Sequence, residues 1–558
     1  MNTNIHTPLA SIIRVAALVC TVPLWAANVV WDGDTSIAFA TAGNWAGGVA
    51  PVAGDVAIFS TAGVTFQPTI SAVGTLAGLQ VDTATTFTLT TSNSTFTVTG
   101  ALAGSAPIVV AGYVPGAGNA GILAFTNTAN TFSGGLTITG GMVRYNSGAT
   151  ANTAFGTQAI TLNGGTFSYQ GPEVAVNVIT GAPTTASDRA FTNAILVGVN
   201  GGRLDINQGS GAANAVVVYP NVSLGGALTF GSAGGGNAHG LTFGGSVTLD
   251  QNSVGARRLT SITSHNGNDF ISGNIVDGAG SAANAQRITS QGRTIVISGA
   301  ANSYAGGTLV EAAGTGTQSV VRVLGQSLLG SGSLTVESGG RIHFNGLQPL
   351  GIAGGLSGSA TITAVDGGVV GNGRVSIAIT GDRASGSDIL TNVVSTRDIV
   401  IGEAITGTGI PAGTTVLAVL GDTSVQISQP ATSTGTATAL TAAGLGIDAT
   451  NRFTASSGGI YAIEGTHAYN INQATVGNGR MFLGQGHVAA TYSGTLGAGA
   501  GATYRLGGGL PTLASSNLFG YGALSLTASS ALVGANNLIV GPGVNSRTDL
   551  ARIIITAD

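Results

Sequence analysis

Acid–base, metal and nucleophilic chemistry in this 558-residue chain would come mainly from six histidines, 22 carboxylates and one cysteine. Beyond the first 27 residues the histidines are His239, His265, His343, His467 and His487. No two lie four apart, and the His-Glu-x-x-His zinc motif is missing. There is no Gly-x-Ser-x-Gly nucleophile elbow, the turn that lifts a serine to the top of a hydrolase sheet. Asp32/Asp34, Asp382/Asp388 and the Asn266-Gly-Asn-Asp269 turn could offer oxygen ligands to calcium. None has EF-hand spacing, and none belongs to rows of Gly-Gly-x-Gly-x-Asp. Their expected role is local, with Asx side chains bonding their own backbone. The histidines are expected to be satisfied surface or turn residues. Arg257-Arg258, the only adjacent basic pair, could hold an anion or a glycan phosphate, and a solvated turn is the plainer reading. No catalytic residue, metal ligand or cofactor is assigned.

Composition narrows the field further. All 18 basic residues are Arg. Without Lys there is no Walker A phosphate loop, no Schiff base, no pyridoxal-phosphate anchor and no protein-kinase site. A net charge of −4 and a pI near 5.8 argue against a polybasic nucleic-acid surface. The one cysteine, Cys20, falls in a segment with the make-up of a secretory leader. There, Arg14 precedes the apolar run Val15–Trp25, and the small residues Ala26 and Ala27 follow. Residues 1–27 are therefore expected to be a cleaved signal peptide. The mature chain would then hold no disulfide and no thiolate site. No other stretch reaches the roughly 18 apolar residues of a membrane-spanning helix.

The elements that would position any site are strands. Thr85-Thr-Phe-Thr-Leu-Thr-Thr91 and Ser94-Thr-Phe-Thr-Val-Thr99 alternate apolar residues with Thr, the period of a half-buried strand. Similar pieces recur at Leu136–Thr139, Ala159–Leu162, Ser246–Leu249, Thr294–Ser298, Ser333–Val336 and Leu524–Thr527. Clusters of Gly, Asn and Ser separate them, and the chain holds 92 Gly. A longer unit occurs twice. Asn130-Thr-Phe-Ser-Gly-Gly135 runs on to Leu162-Asn-Gly-Gly-Thr-Phe167, and Asn302-Ser-Tyr-Ala-Gly-Gly307 runs on to Val336-Glu-Ser-Gly-Gly-Arg-Ile342. Repetition of short strands with small turns points to an all-β solenoid. Three strands of ~5 residues and short turns make coils of roughly 20–25 residues. On that arithmetic the mature chain would form over twenty coils, on the order of 100 Å long.

The repeated unit, carried by Asn130, Phe132, Gly134, Gly135 and by Asn302, Tyr304, Gly306, Gly307, resembles the autotransporter-associated β-strand repeat of bacterial surface proteins. The start of the mature chain is also similar to such passengers: Trp31-Asp-Gly33, Gly43-Asn-Trp45, Gly47-Gly48, Pro51, and Gly54-Asp55 up to Phe59. The resemblance implies a right-handed parallel β-helix, exported and displayed, with no shared catalytic residues. Phe132 and Tyr304 recur at equivalent positions, which favours packing over sugar stacking. Trp31, Asp32 and Trp45 are expected to cap the first coil. The ending Arg552-Ile-Ile-Ile-Thr-Ala-Asp558 departs from the family's membrane barrel, whose strands need aromatic girdles; only 5% of the chain is aromatic.

Residues 378–442 have a different texture, with Gly409-Ile-Pro-Ala-Gly413 at a turn pre-set by Pro411. They are read as a small β-rich module. The expected organisation is a leader over 1–27, an N-terminal cap with the first coils over 28–112, β-helix with both repeats over 113–377, the module over 378–442, and further coils over 443–558. The expected function is non-enzymatic: a surface or secreted stalk, adhesin-like binder or matrix component. Its partners would be polysaccharide or cell-surface ligands and a separate secretion or anchoring partner, not nucleic acid. The alternative is a β-helical polysaccharide lyase or glycosidase, which would need carboxylates converging in a groove.

Overall fold

The computed structural model describes residues 26–90, 95–112, 121–127, 130–145, 155–169, 174–175, 191–206, 215–232, 239–250, 258–261, 269–278, 286–290, 294–299, 301–312, 320–324, 329–345, 360–372, 377–394, 396, 399, 403–421, 423–443, 450–509, 523–527, 532–541 and 552–556. The leader over 1–27 lies outside them except for Ala26 and Ala27. Among the described residues the regular structure is strands with short 3-10 turns, and no helix is long and apolar enough to cross a membrane.

The chain is a parallel β-solenoid of about 14 turns. Successive strands fall on three faces. The first face is a nine-stranded sheet from Thr69–Ile70 to Ile275–Asp277. The second is a twelve-stranded sheet from Gly74–Leu76 to Ile362–Ala364. The third begins as a four-stranded sheet, Asn28–Val30 to Leu102–Ala103. A fourteen-stranded sheet takes the same place in the strand order further along, and its path ends at Asn537–Val540. Within these three faces the pairing is parallel, except that Val174–Ala175 runs antiparallel to Ala215–Tyr219.

The alternation of apolar residues and Thr explains the stacking. On the first face Phe87, Val110, Ile138, Leu162, Val197, Leu224 and Leu249 form one inward column, each residue paired with the next. All are at most 3% exposed and belong to one core running the length of the solenoid. Burial is thus built from neighbour to neighbour.

The number of turns corrects the sequence arithmetic. Turns vary from 19 residues, where Leu89 lies over Ile70, to 37, where Asp205 lies over Ser168. The extra length sits in the connections. The strands stay short and in register, as Thr166–Tyr169 does on Gly202–Ile206. At ~4.8 Å per rung, about 14 turns span roughly 65 Å.

Between Val369–Asn372 and Ile460–His467, which pair directly, the chain detours through an inserted β-module. Its strands form two three-stranded antiparallel sheets. Ile379, Leu390, Val393, Ile405, Val416, Val425, Ile427 and Leu440 belong to a hydrophobic cluster separate from the solenoid core. The Pro411 carbonyl accepts from the Thr414 N–H (3.3 Å) and hydroxyl (2.7 Å), closing the turn.

Candidate binding face

The two repeat motifs make the same contacts. Asn130 Oδ1 accepts from the Leu102 N–H at 2.7 Å, and its Nδ2 donates to the Asn127 carbonyl at 2.9 Å. Asn302 Oδ1 accepts from the Ile275 N–H at 2.6 Å, and its Nδ2 donates to the Gly299 carbonyl at 3.2 Å. Each Asn therefore bonds the strand one turn below and the carbonyl three residues back. The residue after each Asn bonds the same strand: Thr131 N–H to Leu102 O, and Ser303 N–H to Ile275 O, both 2.9 Å. Phe132 and Tyr304 point into the core, 2% and 0% exposed. Burial raises the Tyr304 phenol far above its ordinary range, and its oxygen sits 2.5 Å from Thr308 Oγ1.

The copies differ in where they sit. Leu102–Ala103 is the last strand of the four-stranded sheet on the third face, whereas Ile275–Asp277 is the last strand of the first face. The second copy is shifted by one face. In both, the motif replaces a strand at the point where a sheet stops. Positions equivalent in sequence are thus not equivalent around the axis. The glycine pairs reflect this. Gly134 is buried and Gly135 half-buried in the first copy, while Gly306 is half-buried and Gly307 buried in the second.

One recurring element escaped the sequence reading. Gly156 (φ +67°) sits against the Phe132 carbonyl one turn on, and Gly330 (φ +74°) sits against the Tyr304 carbonyl in the same way. A Cβ at either would collide with that carbonyl, so the aromatic's turn is followed by an obligatory glycine. The signal was present as Phe155-Gly156 and Leu329-Gly330, at similar distances after each motif.

The N-terminal residues close the first turns. Trp31 and Trp45 meet edge to face at 5.0 Å, both 1% exposed; Trp31 stacks on Phe39, and Trp45 meets Phe59 edge to face. The indole N–H of Trp31 donates to Phe66 O (3.0 Å) and that of Trp45 to Phe39 O (2.7 Å). Asp55 accepts from the N–H groups of Ala27 (3.0 Å) and Val52 (2.9 Å).

The titratable candidates are engaged in structure. His343 and His467 are 1% and 0% exposed, which corrects the expectation of surface or turn histidines. His343 Nε2 lies 3.2 Å from Glu464 Oε2, joining the turns on either side of Val369–Asn372. His467 contacts the Glu464 carbonyl (2.7 Å) and the Tyr469 hydroxyl (2.9 Å). Tyr469 continues to Tyr461 (3.0 Å), which accepts from Asn372 Nδ2 (2.8 Å). Strand alternation alone puts His343 on the outer side of its sheet. That side is buried here, as Val320, Val369, Ile460 and Ala462 also are, so the alternation did not reveal its burial. His265 and Arg257 lie outside the described residues.

The acidic candidates are tied into local structure. Asp382 accepts from Asn392 Nδ2 and the Ala437 N–H, both 2.7 Å, and these bonds hold its carboxyl below the usual range. Asp388 accepts from Gln426 Nε2 at 2.9 Å. Asp269 accepts from the Leu241 N–H (2.9 Å) and Ser261 (2.5 Å). Arg258 pairs with Glu311 at 2.8 Å, not with solvent alone. Among the described residues no group of three or more His, Cys, Asp or Glu side chains could hold a metal ion.

The outer side of the first face is open to solvent. Thr86, Val109, Thr137, Thr161, Leu196, Ser223, Thr248 and Val276 form a continuous column over eight strands, each paired with the next. All are half-buried or exposed, and none is charged. Parallel pairing spaces them ~4.8 Å apart. The arrangement can offer many evenly spaced weak contacts but no concentrated reactive group.

Fold and face together define the class: a parallel β-solenoid with an inserted antiparallel module and a regular column of uncharged residues along its first face. Comparison with protein-family models, with curated proteins and with solved structures finds no match to this chain.

Proposed function

We propose that this chain is an exported, non-enzymatic β-helical protein of the surface or secreted kind, similar to an autotransporter passenger and acting as a stalk, adhesin-like binder or matrix component. The observation that carries the reading is the uncharged column from Thr86 to Val276 on the open first face. Short hydroxyl and aliphatic side chains at rung spacing suit weak contact with polysaccharide, where many contacts together supply the affinity. Support for export comes from the composition of residues 1–27. Support for the family likeness comes from the two Asn-x-aromatic-x-Gly-Gly units.

The test is binding of the purified chain, singly and clustered on beads, to cells, glycan arrays and extracellular matrix. Clustered protein is expected to bind and single molecules to bind far more weakly. Substituting Thr137, Thr161 and Thr248 with Asp should remove binding while leaving the circular-dichroism spectrum unchanged. No binding by either form would end the adhesive reading.

A further inference from the structure

The strip around the first-face column has a make-up and a size that narrow what it can hold. Two positions to either side of the column along each strand, the residues are Gly, Ala, Pro, Ser, Thr or Asn, and Asp250 alone is charged. The backbone is already engaged in the stack. The N–H groups of Asn163, Gly198, Gly225 and Asp250 each donate to the strand of the turn before, at 2.7–3.0 Å. The recognising groups are therefore side chains. Leu196 stands out among them in mid-column. It is 42% exposed, the most open member, and its register neighbours are Thr161 on one side and Ser223 on the other.

Eight rungs give about 34 Å along the axis, and five residues of strand give about 13 Å across. That footprint, about 450 Å², is roughly half of what each partner gives to a stable protein–protein interface. A second copy would be held poorly. Charge decides between the remaining ligands. An anion pressed onto this strip loses its water with no cation to replace it, and Asp250 repels it.

We propose, on the reading of this face as a binding surface, that it holds a neutral polysaccharide extended along the solenoid axis. Leu196 packs under the apolar C–H face of a pyranose ring. Thr161 and Ser223 exchange hydrogen bonds with hydroxyls of the rings on either side. Each contact is weak, and the run of rungs adds them together.

The experiment is affinity electrophoresis of the full chain through gels holding a neutral chain, mixed-linkage β-glucan or galactomannan, or an anionic one, polygalacturonate or alginate. The variants are Leu196→Asp and, on the inserted module, Leu417→Asp at a position 50% exposed, both checked by circular dichroism. The wild type is expected to be retarded by a neutral chain, equally at low and high salt, because no charge is screened. Competing oligosaccharides should gain strength with length until they span the strip, and none beyond it. Leu196→Asp should weaken retention on the order of tenfold by placing an unpaired carboxylate under the sugar. Leu417→Asp should leave retention unchanged. Retention by polyuronate alone, removed by salt, overturns the proposal and leaves the adhesive reading standing. So does neutral-chain retention that survives Leu196→Asp, competition without length dependence, or a dimer in sedimentation that Leu196→Asp dissociates. No retention by any gel also overturns it, and binding of the clustered chain to cells, arrays or matrix then decides whether the broader reading falls too.

Discussion

The solenoid and the module inserted in it solve the same problem in opposite ways. The solenoid buries its apolar residues along a line, each rung covering the one before, with backbone pairing in parallel. The module closes two antiparallel sheets on a small cluster that shares no residue with the solenoid core. Side chains follow suit. In the solenoid, Asn130 and Asn302 tie one turn to the next across 28 and 27 residues. In the module, Asp382 and Arg383 tie strand ends and loops within one closed unit. The difference teaches that a low-charge open stack can lock its rungs chiefly by backbone pairing and amides, with ion pairs such as Arg258–Glu311 added between particular turns.

The comparison can be broken most forcefully in the cores. The stretch Ile377–Ala442 contains no aromatic residue, so intrinsic fluorescence reports on the solenoid alone. Phe132→Ala should cost the solenoid about 3–5 kcal/mol, seen as an earlier fluorescence transition in denaturant. Amide-exchange protection of the module strands should not change. If both regions lose stability together, they are one cooperative unit and the contrast fails. Leu390→Ala is the converse. It should remove about 2–5 kcal/mol from the module, exposing its amides to exchange while the fluorescence transition stays in place.

The two repeat copies offer a finer contrast. Asn302 is buried at 3% exposure, whereas Asn130 is half-buried. Asn302→Ala leaves the Ile275 N–H unpaired away from water and should cost about 1–3 kcal/mol; Asn130→Ala should cost about 1 kcal/mol. Equal losses in denaturant titrations would show that face and burial do not matter.

The smallest effect concerns acid. The bonds from Asn392 and Ala437 hold the Asp382 carboxyl below its ordinary value. A depressed carboxyl stabilises the folded module above the unfolded value of about 3.9, and that contribution is lost as pH falls through the lower folded value. A carboxyl NMR titration should place Asp382 below its ordinary midpoint, and Asp382→Asn should remove this acid dependence. A midpoint at or above the ordinary value would contradict the geometry.

Much of the fold was legible because strand period is a local property. Thr85–Leu89 and Thr95–Val98 show their buried side in the alternation itself. The two motifs were legible as repeats, but not their placement on different faces, because face depends on the summed length of every preceding connection. The count of turns failed for the same reason. The buried His343–Glu464 contact was hidden because a residue on the outer side of a strand looks solvated until something covers it. The open column from Thr86 to Val276 was foreshadowed by its hydroxyls, yet Val109 and Leu196 belong to it only by register.

The direct pairing of Val369–Asn372 with Ile460–His467 has a consequence for how such a molecule changes over generations. The chain leaves the stack and returns to the next rung, so the ladder closes beneath the detour. A corner of this kind is a port. A gene can gain, trade or shed a passenger fold there by recombination while the rod beneath keeps its pitch, and a designer could graft a foreign domain at the same place.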